Sequence, residues 1–448
     1  MLRQEGRRRL SRLMGLWSTL VDPKVGVVRE VSEVAIDEDD PSFFHYFSRS
    51  CDASVFVPFK NFSHNGGAST DRYVAMAKAV GEAVERYCSA IFDRDELLLS
   101  TYRELGRNAV HPDLFTVYSP QQLAVEGFLW QPFTEDSSAH WTEGTSLVTG
   151  ETVLLPAAAV FIPYFYHHHR ERTAHVLQPI STGLACGASF AEAAMSGLCE
   201  VIERDAFTIT WQARLSRPRI RPETLPPVGR DLLRRFAEVG IRVELMDITT
   251  DVGVPTLLSI ALSDAATSPA VAVAAATDPS REQALVKTLE ELAHTRKYSK
   301  QVMDYMPPIA VDVAGGHPQV KDQKEHLRFY CPQESKAFAE FAWAAEETRD
   351  FAAVADLSHP DPGEQMRRVV RQLSTAGLEP IVCDLTSPDI RELGLRVVRA
   401  VVPGAHPLQM GHSNRALGNR RLYEVPRKLG LRGPEPGEPD NPYPHPFP

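Results

Sequence analysis

Two stretches of the chain place carboxylates along one stripe of a helix and apolar residues along the opposite one. In STGLACGASFAEAAMSGLCEVIERDAF, residues 181–207, a glycine-bearing turn leads into the first. At about 100° per residue, Glu192, Glu203, Glu200 and Arg204 fall at roughly 0°, 20°, 80° and 120°. Ala194, Met195, Leu198, Val201 and Ile202 fall at roughly 180° to 300°. The charged stripe therefore points away from the core. AVGEAVERYC, within a helical pattern from Asp71 to Phe92, repeats the arrangement with Glu82, Glu85 and Arg86 opposite Ala77, Val80, Val84 and Tyr87. ALVKTLEELAHTR is a third candidate, offering Glu290, Glu291, His294 and Arg296.

Residues 140–166 alternate short apolar runs with turn signals, which predicts a hairpin. Residues 229–262 and 365–402 share one pattern: helix, glycine turn, strand, an Asp-hydrophobic-Thr turn, strand. A duplicated α/β unit follows, so the expected fold class is α/β (α+β). The acidic knot Asp37, Glu38, Asp39 and Asp40 reads as a solvated loop, and the triplet His167 to His169 as an exposed one. The last residues, PYPHPFP, place proline at every second position, which favours a stiff polyproline II strap.

Composition narrows the function classes. Of 448 residues, 43% are apolar and 24% charged, an ordinary globular balance. A formal net charge of -10 argues against a nonspecific grip on nucleic acid and against an anionic membrane surface. The six cysteines show no CxxC and no zinc-ligand spacing, as expected of reduced thiols. The arginine-rich start reads as an exposed helix without a signal-peptide core, and no apolar run reaches membrane-spanning length. A cytoplasmic protein is the expectation.

One ExxER helix alone reads as a solvated face with an i,i+4 ion pair worth a few tenths of a kcal/mol. Two such helices facing each other would gather carboxylates that repel prohibitively unless hard divalent cations sit among them. Mg²⁺ is commonly shared with substrate phosphates, which arginines grip bidentately. The pattern thus points to a Mg-nucleotide site, although no GxxxxGK[ST] or GxGxxG loop is present.

GEAVERYC, STGLACGASFAEAAMSGLCEVIERDAF and DPSREQALVKTLEELAHTR resemble the three nucleotide-binding motifs of the YcaO family. GHSNRALGNRRLYEVPRKLG and the terminal PYPHPFP resemble the end of its azoline-forming branch. The resemblance covers residues 55–448 and implies a pseudo-symmetric fold binding ATP and Mg²⁺ between Glu- and Arg-bearing helices. By position, Glu82, Glu85, Glu200, Glu203 and Glu291 would hold the metal or Mg-nucleotide. Glu192, Arg86, Arg204 and Arg296 would hold or orient the nucleotide. Two departures stand out: Lys78 where serine is usual, and GGAST with Ala68 where lysine is expected. Lys78 would supply a phosphate contact of its own, and His294 stands where glutamine is common.

The division implied is an N-terminal extension over 1–55, an ATP-binding catalytic domain over 56–410 and a C-terminal segment over 411–448. The resemblance further implies cyclodehydration of Cys, Ser or Thr in a ribosomally made precursor peptide. Its alternatives are thioamide or amidine formation by the same activation, or a catalytically silent scaffold. Pro444, His445, Pro446 and Pro448 are the catalytic candidates in the tail, with His445 as a proton-transfer residue. Deleting Pro444 to Pro448 is expected to lower cyclisation far more than thermal stability. No fused domain of the ubiquitin-activating (E1-like or ThiF-like) kind is recognised, so a separate leader-binding partner of that kind is expected. A flavin-dependent azoline dehydrogenase and homodimerisation complete the expected partners.

Overall fold

The computed structural model describes residues 15–166, 173–310 and 320–448. The arginine-rich start and the histidine triplet lie outside the described residues. Packing divides the chain into two compact units: residues up to Ala35 with Phe44–Val201 and Gly377–Gly404, and Ile36–Phe43 with Ile202–Ala376 and Ala405–Pro448. This differs from the division read along the sequence. Within the stretch read as an extension, strands at 28–34 and 44–50 pair inside the first unit.

In the first unit, β1 (Val28–Val34), β2 (Phe44–Ser50) and β3 (His64–Ser69) form an antiparallel sheet. Helix α1 (Arg72–Ala90) packs on it, N-capped by Asp71, whose carboxylate accepts the Tyr73 and Val74 N–H groups. Val80, Ala83, Val84 and Tyr87 are buried with Leu20, Val28, Ile390 and Val397, as the apolar stripe predicts. At Gly67 an added Cβ would stand 2.4 Å from the Ala75 carbonyl, so only glycine lets β3 lie so close to α1. A second sheet runs β4 (Leu98–Ser100), β5 (Ala139–Ser146), β13 (Ile381–Asp384), β14 (Arg396–Val401) and β7 (Leu184–Gly187). β6 (Thr152–Pro156) pairs with β5, the hairpin expected over 140–166.

The second unit holds a sheet in the order β11 (Val271–Thr277), β10 (Thr256–Leu262), β9 (Arg242–Asp247), β8 (Arg219–Ile220) and β12 (Thr348–Arg349). Both of its faces are covered, and β10 and β11 are accordingly buried at every residue rather than alternating. Leu257, Ala261, Ala272 and Ala274 meet α3 (Pro227–Ala237) and α4 (Arg281–Tyr305). Leu258, Ile260, Val271 and Val273 share the other core with Phe207, Trp211, Phe329, Tyr330 and Phe447. Phe207 and Trp211 belong to α2 (Phe190–Gln212), which begins in the first unit and ends in the second.

The internal repeat is present in three dimensions. α3 is followed by Gly240 at φ 73° and the β9–β10 pair; α6 (Pro362–Thr375) is followed by Gly377 at φ 80° and the β13–β14 pair. In each pair the Asp at the strand end accepts the backbone N–H of the Thr two residues on, Asp247 from Thr249 and Asp384 from Thr386, both at 3.0 Å.

Near the C-terminus, Arg421 at the start of α7 (Arg421–Lys428) bonds both Asp205 oxygens at 2.7 Å and reaches Asp251 at 2.8 Å. Arg415 grips Asp440 through two nitrogens at 2.5 and 3.1 Å. These pairs explain the arginine-rich segment before the tail: it fastens the tail's base to α2 and its neighbours.

Candidate active site

In the first unit α1 presents Glu82, Glu85 and Arg86 on the side opposite its buried apolar stripe. Glu82 accepts the Gly66 N–H at 2.9 Å and pairs with Arg86 at 3.0 Å. Glu85 accepts the Cys186 N–H from β7 at 2.8 Å. Glu200 of α2 accepts the Gly183 N–H at 2.9 Å. That turn requires glycine: φ is +90° and a Cβ would stand 2.1 Å from the Ala400 carbonyl oxygen. Burial pushes the Glu85 carboxyl up to about 8, with Arg86 opposing and the charges of Glu82 and Glu200 adding to it. Carboxylates from α1 and α2 therefore crowd one another. The Nη1 of Arg86 is buried and has no hydrogen-bond partner among the described residues. Oxygen ligands in mutual repulsion beside an unused guanidinium donor fit a Mg²⁺ ion that carries phosphate.

In the second unit Glu203 is 7% exposed, accepts the Thr277 N–H at 3.2 Å and is ion-paired with Arg204. The Arg204 guanidinium lies 4.5 Å from the Phe447 ring centroid, a cation–π contact that joins the tail to this carboxylate pair. On α4, Glu290 is buried and Glu291 and His294 are half-buried. A solvated helix face does not describe these stripes. Glu82 and Arg86 retain 32% and 16% side-chain exposure, and Glu203 and Arg204 only 9% and 16%.

Several expected placements change. Arg296 does not join the carboxylates: its side chain is 2% exposed and bonds Asp40 at 2.5 Å, Ser268 at 2.7 Å and the Asp39 carbonyl at 3.0 Å. The acidic knot is accordingly solvated only in part, with Asp37 and Glu38 exposed. Asp40 is 4% exposed, and Asp37, Asp39 and Asp40 are neutralised by Arg296, Lys297 and Lys300. Glu192 spends part of its carboxylate at the N-terminus of α2, accepting the Ala188 N–H at 3.2 Å while Ser189 accepts the Glu192 N–H. Lys78 places its ammonium 2.9 Å from the carbonyl of Ala68, so a lysine charge reaches the segment where the resemblance expects one.

The tail is a packed strap rather than a loose end. Pro444 O accepts from Tyr330 at 2.7 Å and from Trp211 at 3.2 Å, Asn441 is fully buried, and Phe447 is 1% exposed. Pro448 remains half-buried. His445 anchors the tail. Its Nε2 donates to Gln409 O and its Nδ1 accepts the Phe447 N–H, both at 3.3 Å, and its ring stacks on His326 at 3.9 Å. Burial pushes His445 down to about 4, with Arg204 adding to it; His326, facing His445 and His412, is pushed down likewise by burial. His406, beside Asp205 and Arg421, is pushed by burial to about 4.

A pH dependence follows. A histidine neutral in the fold but titrating near 6.5 when unfolded costs nothing above that pH. Stability is lost as pH falls from 6.5 toward 4, because the unfolded chain takes up the proton first. His406 and His445 each remove roughly 3 kcal/mol by pH 4. Urea midpoints should therefore drop steadily between pH 6.5 and 4.5, and His406→Gln should flatten that slope. A flat profile would contradict the buried neutral rings.

Sequence reasoning missed Arg399, which is 6% exposed in β14 beside the Glu200 carboxylate. Its signal was a charge in the middle of RVVRAV, an otherwise apolar strand.

Helix-borne carboxylates held in repulsion, with arginines beside them, define a Mg-nucleotide enzyme on an α/β scaffold. Comparison with known proteins agrees. Residues 66–406 match the family model described as YcaO cyclodehydratase, ATP- and Mg²⁺-binding, and the chain belongs to the YcaO family. An uncharacterized protein of Methanothermobacter thermautotrophicus is 28% identical over 345 residues, covering 75% of this chain and 80% of its own. A heterocyclase solved in complex with substrate and cofactor superposes with a TM-score of 0.79 at 23% identity, covering 98% of this chain. This chain spans 57% of that heterocyclase's length. The YcaO protein of Methanopyrus kandleri, solved with AMPPCP and Mg²⁺, superposes with a TM-score of 0.62 at 21% identity over 96% of this chain and 93% of its own. ATP and Mg²⁺ are thus the cofactors of this family. No helix among the described residues is long and apolar enough to cross a membrane.

Proposed function

We propose that the protein is an ATP- and Mg²⁺-dependent cyclodehydratase that converts Cys, Ser or Thr of a ribosomally made precursor peptide into thiazoline or oxazoline. The observation that carries this reading is the tail: PYPHPFP is packed into the second unit, and its Phe447 contacts the arginine paired with Glu203. A strap this stiff and this firmly anchored holds Pro444 to Pro448 in one place.

In this reading Glu82, Glu85 and Glu200 of the first unit, and Glu203 and Glu291 of the second, would be metal ligands, and Arg86, Arg204, Glu192 and Lys78 would orient the nucleotide. Mg²⁺ supplies charge neutralisation at the phosphoryl oxygens. A side-chain thiol or hydroxyl attacks the preceding carbonyl carbon, giving a hemiorthoamide. The former amide oxygen takes the terminal phosphoryl group of ATP and then leaves as phosphate, so the products are the azoline, ADP and phosphate. Phosphate departs readily where an amide oxygen would not. The proton released over the cycle passes to water. A separate leader-binding protein presents the peptide, a flavin-dependent dehydrogenase oxidises azolines to azoles, and the enzyme works as a homodimer.

The test is incubation with a precursor peptide, its leader-binding protein and Mg-ATP. Loss of one water per ring, with one ADP formed for each, is the expected result. Exchange of oxygen for sulfur would mean thioamide formation. ATP turnover without any peptide mass change, or no turnover at all, would reject cyclodehydration.

A further inference from the structure

The two halves of the internal repeat differ at one position that the fold itself does not explain. In the β9–β10 pair Asp247 faces Leu257 and Met246 faces Leu258. In the β13–β14 pair Asp384 faces Val398 and Cys383 faces Arg399. Arg399 thus occupies the register of Leu258, which is 1% exposed within an apolar core. A leucine satisfies the architecture there, yet the first unit buries an arginine between Cys383 and Leu184, its cross-strand neighbours.

That arginine is incompletely satisfied. Its Nε donates to the Ala159 carbonyl at 3.0 Å, while its Nη1 is buried with no hydrogen-bond partner among the described residues. Arg86 carries a second buried Nη1 in the same condition. The two guanidiniums interact unfavourably with each other, and Glu200 offsets this for Arg399. Burial holds Arg399 down to about 10, so it remains charged at neutral pH. A buried cation with an idle donor is costly, and an oxyanion relieves both the desolvation and the repulsion.

We propose that Arg399 is a phosphate-binding residue which, with Arg86, forms a two-guanidinium seat in the first unit for the oxyanion of the nucleotide's phosphates. The assignment rests on the ATP-dependent reading above and adds to it a residue outside the three carboxylate-bearing segments. Glu82, Glu85 and Glu200 take the metal side of the same phosphate group, and the arginines take its free oxygens. Nothing about the adenosine moiety depends on Arg399.

The discriminating experiment is calorimetric titration of the full chain with Mg-AMPPNP, AMP and tripolyphosphate, using wild type, Arg399→Leu and Arg399→Gln. Leucine at the equivalent position of the second unit indicates that the first variant folds, and melting temperature checks this. Affinity for Mg-AMPPNP and tripolyphosphate should fall about tenfold or more, as for loss of a charged hydrogen bond, while AMP affinity holds. Unchanged triphosphate affinity, or an equal fall for AMP, would overturn the proposal by giving Arg399 a purely structural place. Failure of both variants to fold would overturn it on the same ground. Wild type that binds tripolyphosphate through Arg399 but no nucleotide would sink the ATP reading and leave the anion seat standing. Wild type that binds neither rejects both.

Discussion

Glu203→Gln is expected to keep its fold and to lose about a hundredfold or more of its ATP turnover, the loss that follows removal of one preorganised electrostatic group. Glutamine has nearly the same shape and still offers an oxygen to the Thr277 N–H, 3.2 Å from the native carboxylate. The neighbouring packing is undisturbed, because Leu198 and Ile202 are buried on the other sides of the helix. What disappears is the charge that pairs with the Arg204 guanidinium and that, in the proposed reading, would meet the metal. Stability should shift by roughly 1–3 kcal/mol, since Arg204 loses its ionic partner. Steady-state ADP release with peptide and leader-binding partner present, beside a thermal melt, separates the two effects. Normal turnover in a well-folded Glu203→Gln protein would remove Glu203 from the metal set.

The second large effect concerns the tail, where the structure reverses an expectation. Sequence alone treats Pro444 to Pro448 as a strap whose deletion spares stability. Phe447 is instead 1% exposed, with its ring centroid 4.3 Å from that of Phe207 and the Arg204 guanidinium 4.5 Å away. Phe447→Ala should therefore destabilise the second unit by about 3–5 kcal/mol, as truncation of a buried aromatic does. Deleting the whole segment would lose the Phe447 packing together with both hydrogen bonds to Pro444 O. Such a deletion cannot separate folding from catalysis.

Removing Pro448 alone can separate them. The residue is half-buried and makes none of these anchoring contacts, so the melt should move by less than about 0.5 kcal/mol equivalent. The strap shortens by one residue, roughly 3 Å along an extended chain. A displacement of that size at a reacting centre costs about a hundredfold or more. Water loss from the peptide is the readout. Unchanged ring formation would show that Pro448 takes no part in the reaction.

The carboxylate stripes were legible because helical periodicity is local. Glu82, Glu85 and Arg86 need only four residues of α1 to share a face, and Glu200 and Glu203 less than one turn of α2. The hairpins of the repeat were legible for the same reason: a glycine after a helix and an Asp-x-Thr turn act over a few residues. Which charged residues meet each other was not. Arg296 sits five and six residues from Glu291 and Glu290 in sequence, yet it pairs with Asp40, 256 positions away. His445 in a proline run reads as a free catalytic imidazole until His326 and Gln409 surround it.

The sequence by itself determined the α/β class, the duplicated strand pairs, the carboxylate-bearing helices and the stiffness of the last residues, since each follows from periodicity or from proline's fixed φ. Only the tertiary structure decided that the acidic knot is an ion-paired anchor, that Phe447 belongs to a core, and that Arg399 is buried beside Glu200 with a donor unused. Those outcomes depend on desolvation, and how far a side chain is removed from water is set by residues distant in the chain rather than by its neighbours in sequence.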